Sequence, residues 1–215
     1  MRNEDVRSKR ILNLVATLPS FGAVDLAPVG EEKGYLNIIL SRYTKQGTMV
    51  RLRKNLYVTK SYLDNVEKKG IFSSYVEFAA NKLYSPSYLS LDYVLHENNM
   101  LTEIPRNITS VGLRKTDHFT NDLGNFIYHK IKEELFIGFK VIKKGNLSIL
   151  KATKAKALFD FLYFRKRLLT DKRAVEELRL NLDEFKKKKN DFKELKGYVE
   201  IEGSPKMNEI LNWLK

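Results

Sequence analysis

The chain has 215 residues, with 39 Lys and Arg against 26 Asp and Glu and a formal net charge of +13. This length suits one large domain or two small ones, and an apolar fraction of 43% is enough for a folded core. The positive field favours polyanionic or acidic partners, with nucleic acid as the first expectation and a membrane surface as the second. The absence of cysteine excludes disulfides, Cys-ligated zinc and thiol catalysis.

Neither a membrane span nor a secretory signal is predicted. No apolar run approaches the roughly 20 residues that a membrane-spanning helix needs. The first ten residues, MRNEDVRSKR, lack the apolar stretch of a signal peptide. We therefore expect a cytoplasmic protein without a membrane partner.

Helical periodicity runs through the N-terminal part of the sequence. Apolar residues recur at helical spacing over residues 5–18, and Pro19 closes this first predicted helix. A short second helix is predicted over residues 23–27. A third helix ends at Gly47, and its apolar residues have the i, i+3, i+4, i+7 spacing of a buried stripe. The stripe consists of Leu36, Ile39, Leu40 and Tyr43.

The opposite face of this third helix is expected to be exposed. It carries amide, hydroxyl and basic side chains, which suit hydrogen bonding to a polar partner. The residues of this face are Tyr35, Asn37, Ser41, Arg42 and Lys45.

A β-hairpin is predicted directly after the third helix. The segments MVRLR and LYVT alternate apolar and polar residues, and Lys54 and Asn55 lie at the turn between them. Residues 41–60 contain no Asp or Glu and six basic residues, which gives a local charge of +6. The six are Arg42, Lys45, Arg51, Arg53, Lys54 and Lys60.

A polar helix face followed at once by a basic hairpin is the layout of a winged helix-turn-helix. In such a domain the third helix enters the major groove, where amide and guanidinium groups meet base edges. The hairpin neutralises phosphates of the flanking backbone. The same pattern is compatible with a protein-docking module or an ordinary solvated surface. We interpret residues 1–70 as a DNA-binding domain, with those alternatives open.

A second, mixed α/β domain with a helical C-terminus is predicted over residues 71–215, so the whole chain is expected to be α+β. Helical patterns cover residues 73–83, 90–99 and 152–169, and Ser precedes or opens the first two in a plausible N-cap position. Strands are predicted over residues 108–113, 124–131 and 135–142, the last two as antiparallel neighbours. Residues 171–215 are predicted to be helical, with a break near EGSPK.

Candidate catalytic or metal-binding groups are sparse. His96, His118 and His129 lie on different predicted elements without metal-ligand spacing, which favours ordinary surface or core roles. Asp92, Glu97 and Glu103 could form a carboxylate pair only through tertiary contact. No phosphate loop, nucleophile elbow or dinucleotide fingerprint occurs. We therefore expect no enzyme activity, no cofactor and no metal.

Two further features each have two interpretations. The basic run Lys186–Lys189 is typical of a solvated helix face, with a second nucleic-acid contact as the alternative. An aromatic cluster in the predicted helix 152–169 favours core packing, with a base-stacking platform as the alternative. Its members are Phe159, Phe161, Tyr163 and Phe164.

Several segments occur in a characteristic order. The first is GTMVRLRKNLYV, which contains the hairpin and ends the predicted winged helix. It is followed by SPSYLSLDYVLHENNML at residues 85–101, a strand opening at Ile108, FIYHKIKEELFIGF at 126–139 and ATKAKALFDFLYF at 152–164. Together they resemble the AbiEi family of antitoxins, which are described as transcriptional regulators of viral defence systems. The resemblance covers about residues 5–165.

The sequence departs from the family pattern at three places. Asn55 replaces the usual glycine of the hairpin turn, a change that the left-handed tolerance of Asn permits. AKAL replaces EKAL, so the family's acid is missing near Ala155. DYVLHENN replaces the pattern SALxxHG, which makes His96 an approximate counterpart of the family histidine.

The resemblance implies an antitoxin of a type IV toxin–antitoxin system. Its winged helix would bind inverted repeats in double-stranded promoter DNA and repress its own operon. The groove-facing residues would be the exposed set on the third helix, with Arg51, Arg53 and Lys54 on phosphates or in the minor groove. The second domain would counter a nucleotidyltransferase-like toxin without a stable complex. The alternatives are a protein-interaction adaptor and an RNA-binding module that uses Lys186–Lys189.

Overall fold

The computed structural model describes residues 2–214, with side chains described for residues 9–183, 185, 186 and 188–214. The chain contains both helices and β-sheets, which confirms the predicted mixture of α and β structure. It divides into two compact units, residues up to Leu83 together with Phe119–Gly124, and Tyr84–His118 together with residues from Asn125 onward. Within the described residues, no helix has both the length and the apolar character needed to cross a membrane.

The first unit consists of helices and one two-stranded hairpin. In chain order they are α1 (Arg2–Val15), a 3₁₀ helix (Ala23–Val29), α2 (Lys33–Lys45), β1 (Met49–Arg53), β2 (Leu56–Thr59), α3 (Lys60–Lys68) and α4 (Phe72–Leu83). The three predicted helices and the predicted hairpin are therefore confirmed as elements. Helix α3 was not predicted, because only Tyr62, Leu63 and Val66 are apolar among its nine residues.

Helix α3 shows why this unit extends beyond residue 70, where the sequence analysis placed the domain boundary. The Thr59 hydroxyl accepts a hydrogen bond from the backbone N–H of Tyr62 and caps the helix. The ring of Tyr62 packs against that of Tyr75 in α4, and the Tyr75 hydroxyl donates to the Pro19 carbonyl at 2.9 Å. Helix α4 is thereby joined to the first unit, and the division between the units follows Leu83.

The core of the first unit is built from the predicted apolar stripes. Each contributing side chain is at most 9% exposed. The cluster consists of Ile11, Val15, Phe21, Leu26, Val29, Leu36, Ile39, Leu40, Tyr43 and Met49. Because α2 contributes four of these residues, its orientation is fixed by burial.

The hairpin is closed by a turn at Lys54 and Asn55. Asn55 adopts a left-handed φ of 59°, which confirms the conformation predicted for it. Its side-chain oxygen accepts a hydrogen bond of 3.0 Å from the backbone N–H of Ala23, at the start of the 3₁₀ helix. Phe21 and Tyr57 exchange two backbone hydrogen bonds of 2.9 and 2.8 Å. These contacts join the hairpin to the segment before α2.

Asn55→Ala is expected to destabilise the protein more than Asn55→Gly. Both variants lose the hydrogen bond to Ala23, but only alanine has a Cβ that opposes the left-handed backbone, at a cost of about 1–2 kcal/mol. Thermal unfolding followed by circular dichroism should rank the melting temperatures as wild type, then Asn55→Gly, then Asn55→Ala. Equal melting temperatures for the two variants would contradict this explanation of the turn.

The second unit is centred on a mixed sheet. Its elements are β3 (Ser87–Leu89), α5 (Leu91–Glu97), β4 (Ile108–Gly112), β5 (Asp117–Asn121), β6 (Gly124–Lys130), a 3₁₀ helix (Glu133–Leu135), β7 (Phe139–Lys144), β8 (Leu147–Ala152), α6 (Lys154–Arg165), α7 (Lys172–Glu176), α8 (Asp183–Lys187), α9 (Lys189–Glu202) and α10 (Pro205–Trp213). The strand order is β5-β6-β4-β3-β8-β7, and the β5–β6 turn belongs to the first unit. The helical C-terminus and its break at Gly203 are confirmed.

The predicted pairing of the strands over residues 124–131 and 135–142 is wrong. Strand β6 pairs in parallel with β4, whereas β7 pairs antiparallel with β8. The two-residue turn Gly145–Asn146, with Gly145 at φ 59°, reverses the chain and brings β8 onto β7. Strand β8 was not among the predicted strands, so the correct partner of β7 was missing from the prediction.

A charged pair lies inside the apolar packing of α6. Lys156 Nζ and Asp160 Oδ1 are 2.7 Å apart, and both side chains are 0% exposed. Asp160 Oδ2 accepts hydrogen bonds from Ser90 Oγ at 2.7 Å and from Tyr88 at 3.1 Å. Burial raises the pKa of Asp160 and lowers that of Lys156, while their mutual attraction acts in the opposite direction. Ser90 is the N-cap of α5, but its hydroxyl is used for Asp160 instead of the helix end.

The aromatic cluster of α6 is part of the core. Phe159 and Phe161 are buried, and Tyr163 and Phe164 are half-buried. Phe159 is stacked on Tyr163 with ring centroids 5.7 Å apart. This arrangement confirms the interpretation of the cluster as packing.

Candidate nucleic-acid interface

The exposed face of α2 brings together most of the residues predicted for it. Leu36, Ile39 and Leu40 lie in the core, so the opposite side of the helix faces solvent. A shallow depression of about 560 Å³ lies along this side. It is lined by Asn37, Ile38, Ser41, Arg42, Lys45 and Gln46. Of the predicted set, Asn37, Ser41 and Lys45 are exposed and Arg42 is half-buried.

Tyr35 does not share this exposed face. Its side chain is half-buried and packs against the core of the first unit. Its hydroxyl is buried and has no hydrogen-bond partner among the described residues. The reason is helical geometry: Tyr35 lies about 90° around the helix from the centre of the apolar stripe, so its large ring can fold onto the core. The hydroxyl is therefore not presented to a partner in this conformation.

Ile38 was missed by the sequence analysis and lies in the middle of the exposed face. It is 66% exposed, although neighbouring isoleucine Ile39 is buried. A helical wheel places it opposite the Leu36 and Leu40 stripe, which is the signal that could have identified it. An exposed branched side chain flanked by Ser41 and Lys45 gives this polar face one apolar contact point.

The tip of the hairpin presents three cationic side chains. Arg51, Arg53 and Lys54 are exposed, whereas Leu52 between the two arginines is buried. The strand register is irregular between Arg51 and Arg53, which interrupts the alternation of a regular strand. The Asn121 side chain donates a hydrogen bond of 2.9 Å to the Leu52 carbonyl and holds the strand at this point.

These cations are not neutralised within the part of the chain that the structure describes. Lys45, Arg51, Arg53 and Lys54 form no ion pair there. Lys60 differs, because it lies 3.1 Å from Asp64 in a surface ion pair. The positive charge of the segment is therefore concentrated on α2 and the hairpin tip. Such a surface attracts polyanions, and its donors suit phosphate oxygens and base edges.

The carboxylates considered in the sequence analysis are used in ion pairs. Asp92 accepts from Arg165 at 3.0 Å, and Glu97 accepts from Lys151 at 2.7 Å. Glu103 is exposed in the loop after α5. Asp92 and Glu97 therefore do not form the carboxylate pair that was considered.

The histidines occupy three different environments. His96 contacts the Leu101 carbonyl at 3.3 Å, His118 is exposed on β5, and His129 packs against Phe164 with ring centroids 5.1 Å apart. Within the described residues, no group of three or more His, Asp or Glu side chains is placed to hold a metal ion.

The basic run Lys186–Lys189 spans the junction of α8 and α9 instead of one helix face. Lys186, Lys188 and Lys189 are exposed, and the side chain of Lys187 lies outside the described residues. Lys188 has an extended backbone conformation and separates the two helices. The run therefore forms a bend in the surface of the second unit.

No protein-family model matches this chain, and no curated protein matches it in sequence. The AbiEi resemblance therefore remains a resemblance of motifs. The motif segment at residues 85–101 forms β3 and α5, and the segment at 152–164 forms most of α6. Lys156 and Asp160, which lie in the second of these segments, form the buried pair described above.

Proposed function

We propose that this protein is a DNA-binding regulator whose first unit is a winged helix-turn-helix. The observation that carries the proposal is a set of exposed cations on α2 and on the tip of the β1–β2 hairpin that form no ion pair with any described side chain. They are Lys45, Arg51, Arg53 and Lys54. The two elements pack against each other within one unit. In this arrangement α2 is the recognition helix and the hairpin is the wing.

The side chains of α2 supply contacts that distinguish bases. The Asn37 amide can pair with an adenine edge, and Arg42 and Lys45 can donate to guanine acceptors. Ile38 offers an apolar surface for a thymine methyl group. The wing residues Arg51, Arg53 and Lys54 neutralise phosphates, which adds affinity and fixes the register without reading sequence.

The biological role that we propose is that of an antitoxin of a type IV toxin–antitoxin system. This part rests on the AbiEi resemblance of residues 5–165. The protein would act in the cytoplasm, bind inverted repeats in its own promoter and repress the operon. The second unit would counter a nucleotidyltransferase-like toxin without a stable complex. A gene for such a toxin directly beside this one would support the assignment.

Fluorescence anisotropy with labelled duplexes tests the DNA-binding proposal. We expect tighter binding to the DNA upstream of the gene than to a shuffled duplex of equal length and composition, at a fixed salt concentration. Competition with tRNA separates DNA recognition from an RNA-binding role. Equal affinity for the upstream and shuffled duplexes, or displacement of both by tRNA at lower concentration than by upstream DNA, would contradict the proposal.

A further inference from the structure

The second unit contains a large polar groove that the DNA-binding proposal does not use. Its volume is about 1100 Å³, comparable with sites that hold cofactors and other small molecules. It is lined by the loop of residues 101–107, by residues 177–179 directly after α7, and by residues of α5, α6, β4 and β6. The loop is held at its start, because Met100 accepts a backbone hydrogen bond of 3.0 Å from Asn181 and Leu101 contacts His96.

Two arginines of the groove have no carboxylate partner among the described side chains. Arg106 and Arg179 are exposed, line the groove and form no ion pair among the described residues. Two of the acids in the lining are already paired, Asp92 with Arg165 and Glu177 with Arg173 at 3.5 Å. The third acid, Glu103, is exposed. Guanidinium groups of this kind bind phosphate through paired hydrogen bonds.

Arg179 is held in an unusual backbone conformation. Its φ is 50°, a left-handed value that arginine rarely adopts. Its N–H donates to the Glu176 carbonyl at 3.0 Å where α7 ends. A glycine would be less strained at this helix end, so the sequence places an arginine side chain beside the groove against the local preference.

A third arginine of the groove, Arg165, has its planar guanidinium group held in place by two neighbours. The Arg165 guanidinium lies 3.7 Å from the ring centroid of Phe161 and donates to both oxygens of Asp92 at 3.0 and 3.3 Å. Its charge is already partnered, and Phe161 covers one plane. Arg165 lines the groove, and nucleobases stack on guanidinium planes of this kind. Leu101, Ile104 and Ile127 add apolar surface to the same groove.

His129 supplies a polar group beside this arginine. It is half-buried, and burial and the Arg165 charge lower its pKa, while Asp92 acts in the opposite direction. The ring is therefore neutral near pH 7 and can both donate and accept a hydrogen bond. His96 and His118 do not line the groove.

We propose that this groove binds a 5′-phosphorylated nucleoside, with Arg106 and Arg179 on the phosphate and the base against Arg165 and the apolar wall. The ligand is either a free mononucleotide or the phosphorylated end of a nucleic acid, since both present the same chemistry. The residues of this site belong to the second unit, whereas α2 and the hairpin belong to the first. An alanine variant at Arg51, Arg53 and Lys54 is therefore expected to retain it.

Isothermal titration of the full chain with AMP tests the site. We expect one saturable site, with adenosine and inorganic phosphate each binding more weakly than AMP. Arg106→Ala and Arg179→Gly should each weaken AMP binding by about tenfold or more, as expected for loss of a charged hydrogen bond. Glycine is chosen at residue 179 because it suits the left-handed backbone. Arg167→Ala is the matched control, since Arg167 is exposed and does not line the groove.

The histidine ring signals locate the binding by NMR. AMP is expected to shift the signals of His129, which lines the groove, and to leave those of His118, which does not, unchanged. Tighter binding of a 5′-phosphorylated RNA trinucleotide than of AMP would assign the ligand to a nucleic-acid end, and the reverse order would assign it to a free nucleotide. An absence of AMP binding at millimolar concentration, equal weakening by Arg167→Ala, or an unmoved His129 signal would each overturn the proposal.

Discussion

Asp160→Ala is expected to lower the free energy of unfolding of the second unit by about 3–5 kcal/mol, because it leaves a buried ammonium without its partner. Lys156 is 0% exposed and has Asp160 as its carboxylate partner at 2.7 Å. The substitution also removes the acceptor of the Ser90 and Tyr88 hydroxyl groups. Urea unfolding followed by fluorescence measures the loss, since Trp213 is the single tryptophan and lies in this unit.

Two comparisons isolate the effect of the buried charge. The double variant Lys156→Met with Asp160→Leu removes both charges and is expected to recover part of the lost stability. Glu176→Ala breaks the exposed pair with Lys172, whose side chains are 67% and 63% exposed, and should cost less than about 1 kcal/mol. A cost for Asp160→Ala no larger than that of Glu176→Ala would contradict the importance of the buried pair.

Alanine at Arg51, Arg53 and Lys54 together is expected to weaken promoter binding and to flatten its salt dependence. Each phosphate contact contributes about −0.9 to the slope of log affinity against log salt concentration, so three lost contacts should reduce the slope by nearly three. Binding measured by anisotropy at four or more salt concentrations gives this slope. The triple variant should retain the wild-type melting temperature, because all three side chains are exposed.

A matched triple variant shows whether position or total charge matters. Lys9, Lys68 and Lys69 are also exposed cations of the first unit, and their replacement by alanine removes the same charge. We expect this control to change the slope much less than the hairpin variant. The same affinity and slope for the hairpin variant and the wild type would remove the hairpin from the proposed interface.

The first unit could be predicted from sequence because its signals are local. The stripe at Leu36 and Leu40 fixes which side of α2 is buried, and the turn at Asn55 fixes the hairpin. The same periodicity predicts an exposed Ile38. Single exposed apolar residues are common on protein surfaces, so this position alone did not indicate a contact. Tyr35 was predicted to be exposed, but its large ring lies at the edge of the apolar stripe and packs against the core.

The second unit could be predicted less well because its structure depends on distant residues. Strand β6 pairs with β4, and no local pattern indicates that parallel partner. The groove is likewise assembled from segments far apart in sequence, with Arg106 on one loop and Arg179 in the segment after α7. The buried pair could not be predicted, because Lys and Asp four residues apart are typical of the exposed face of an amphipathic helix.

The most direct test of the central claim uses the absence of cysteine from the chain. Single-cysteine variants Ile38→Cys and Lys54→Cys can each carry an iron chelate that cleaves nearby DNA, with identically treated wild-type protein as the control. If α2 and the hairpin contact one duplex together, cleavage from residue 38 should fall within the recognised bases and cleavage from residue 54 in the flanking backbone a few base pairs away. Cleavage at the wild-type level from either position, on DNA that the protein still binds, would contradict the proposed interface.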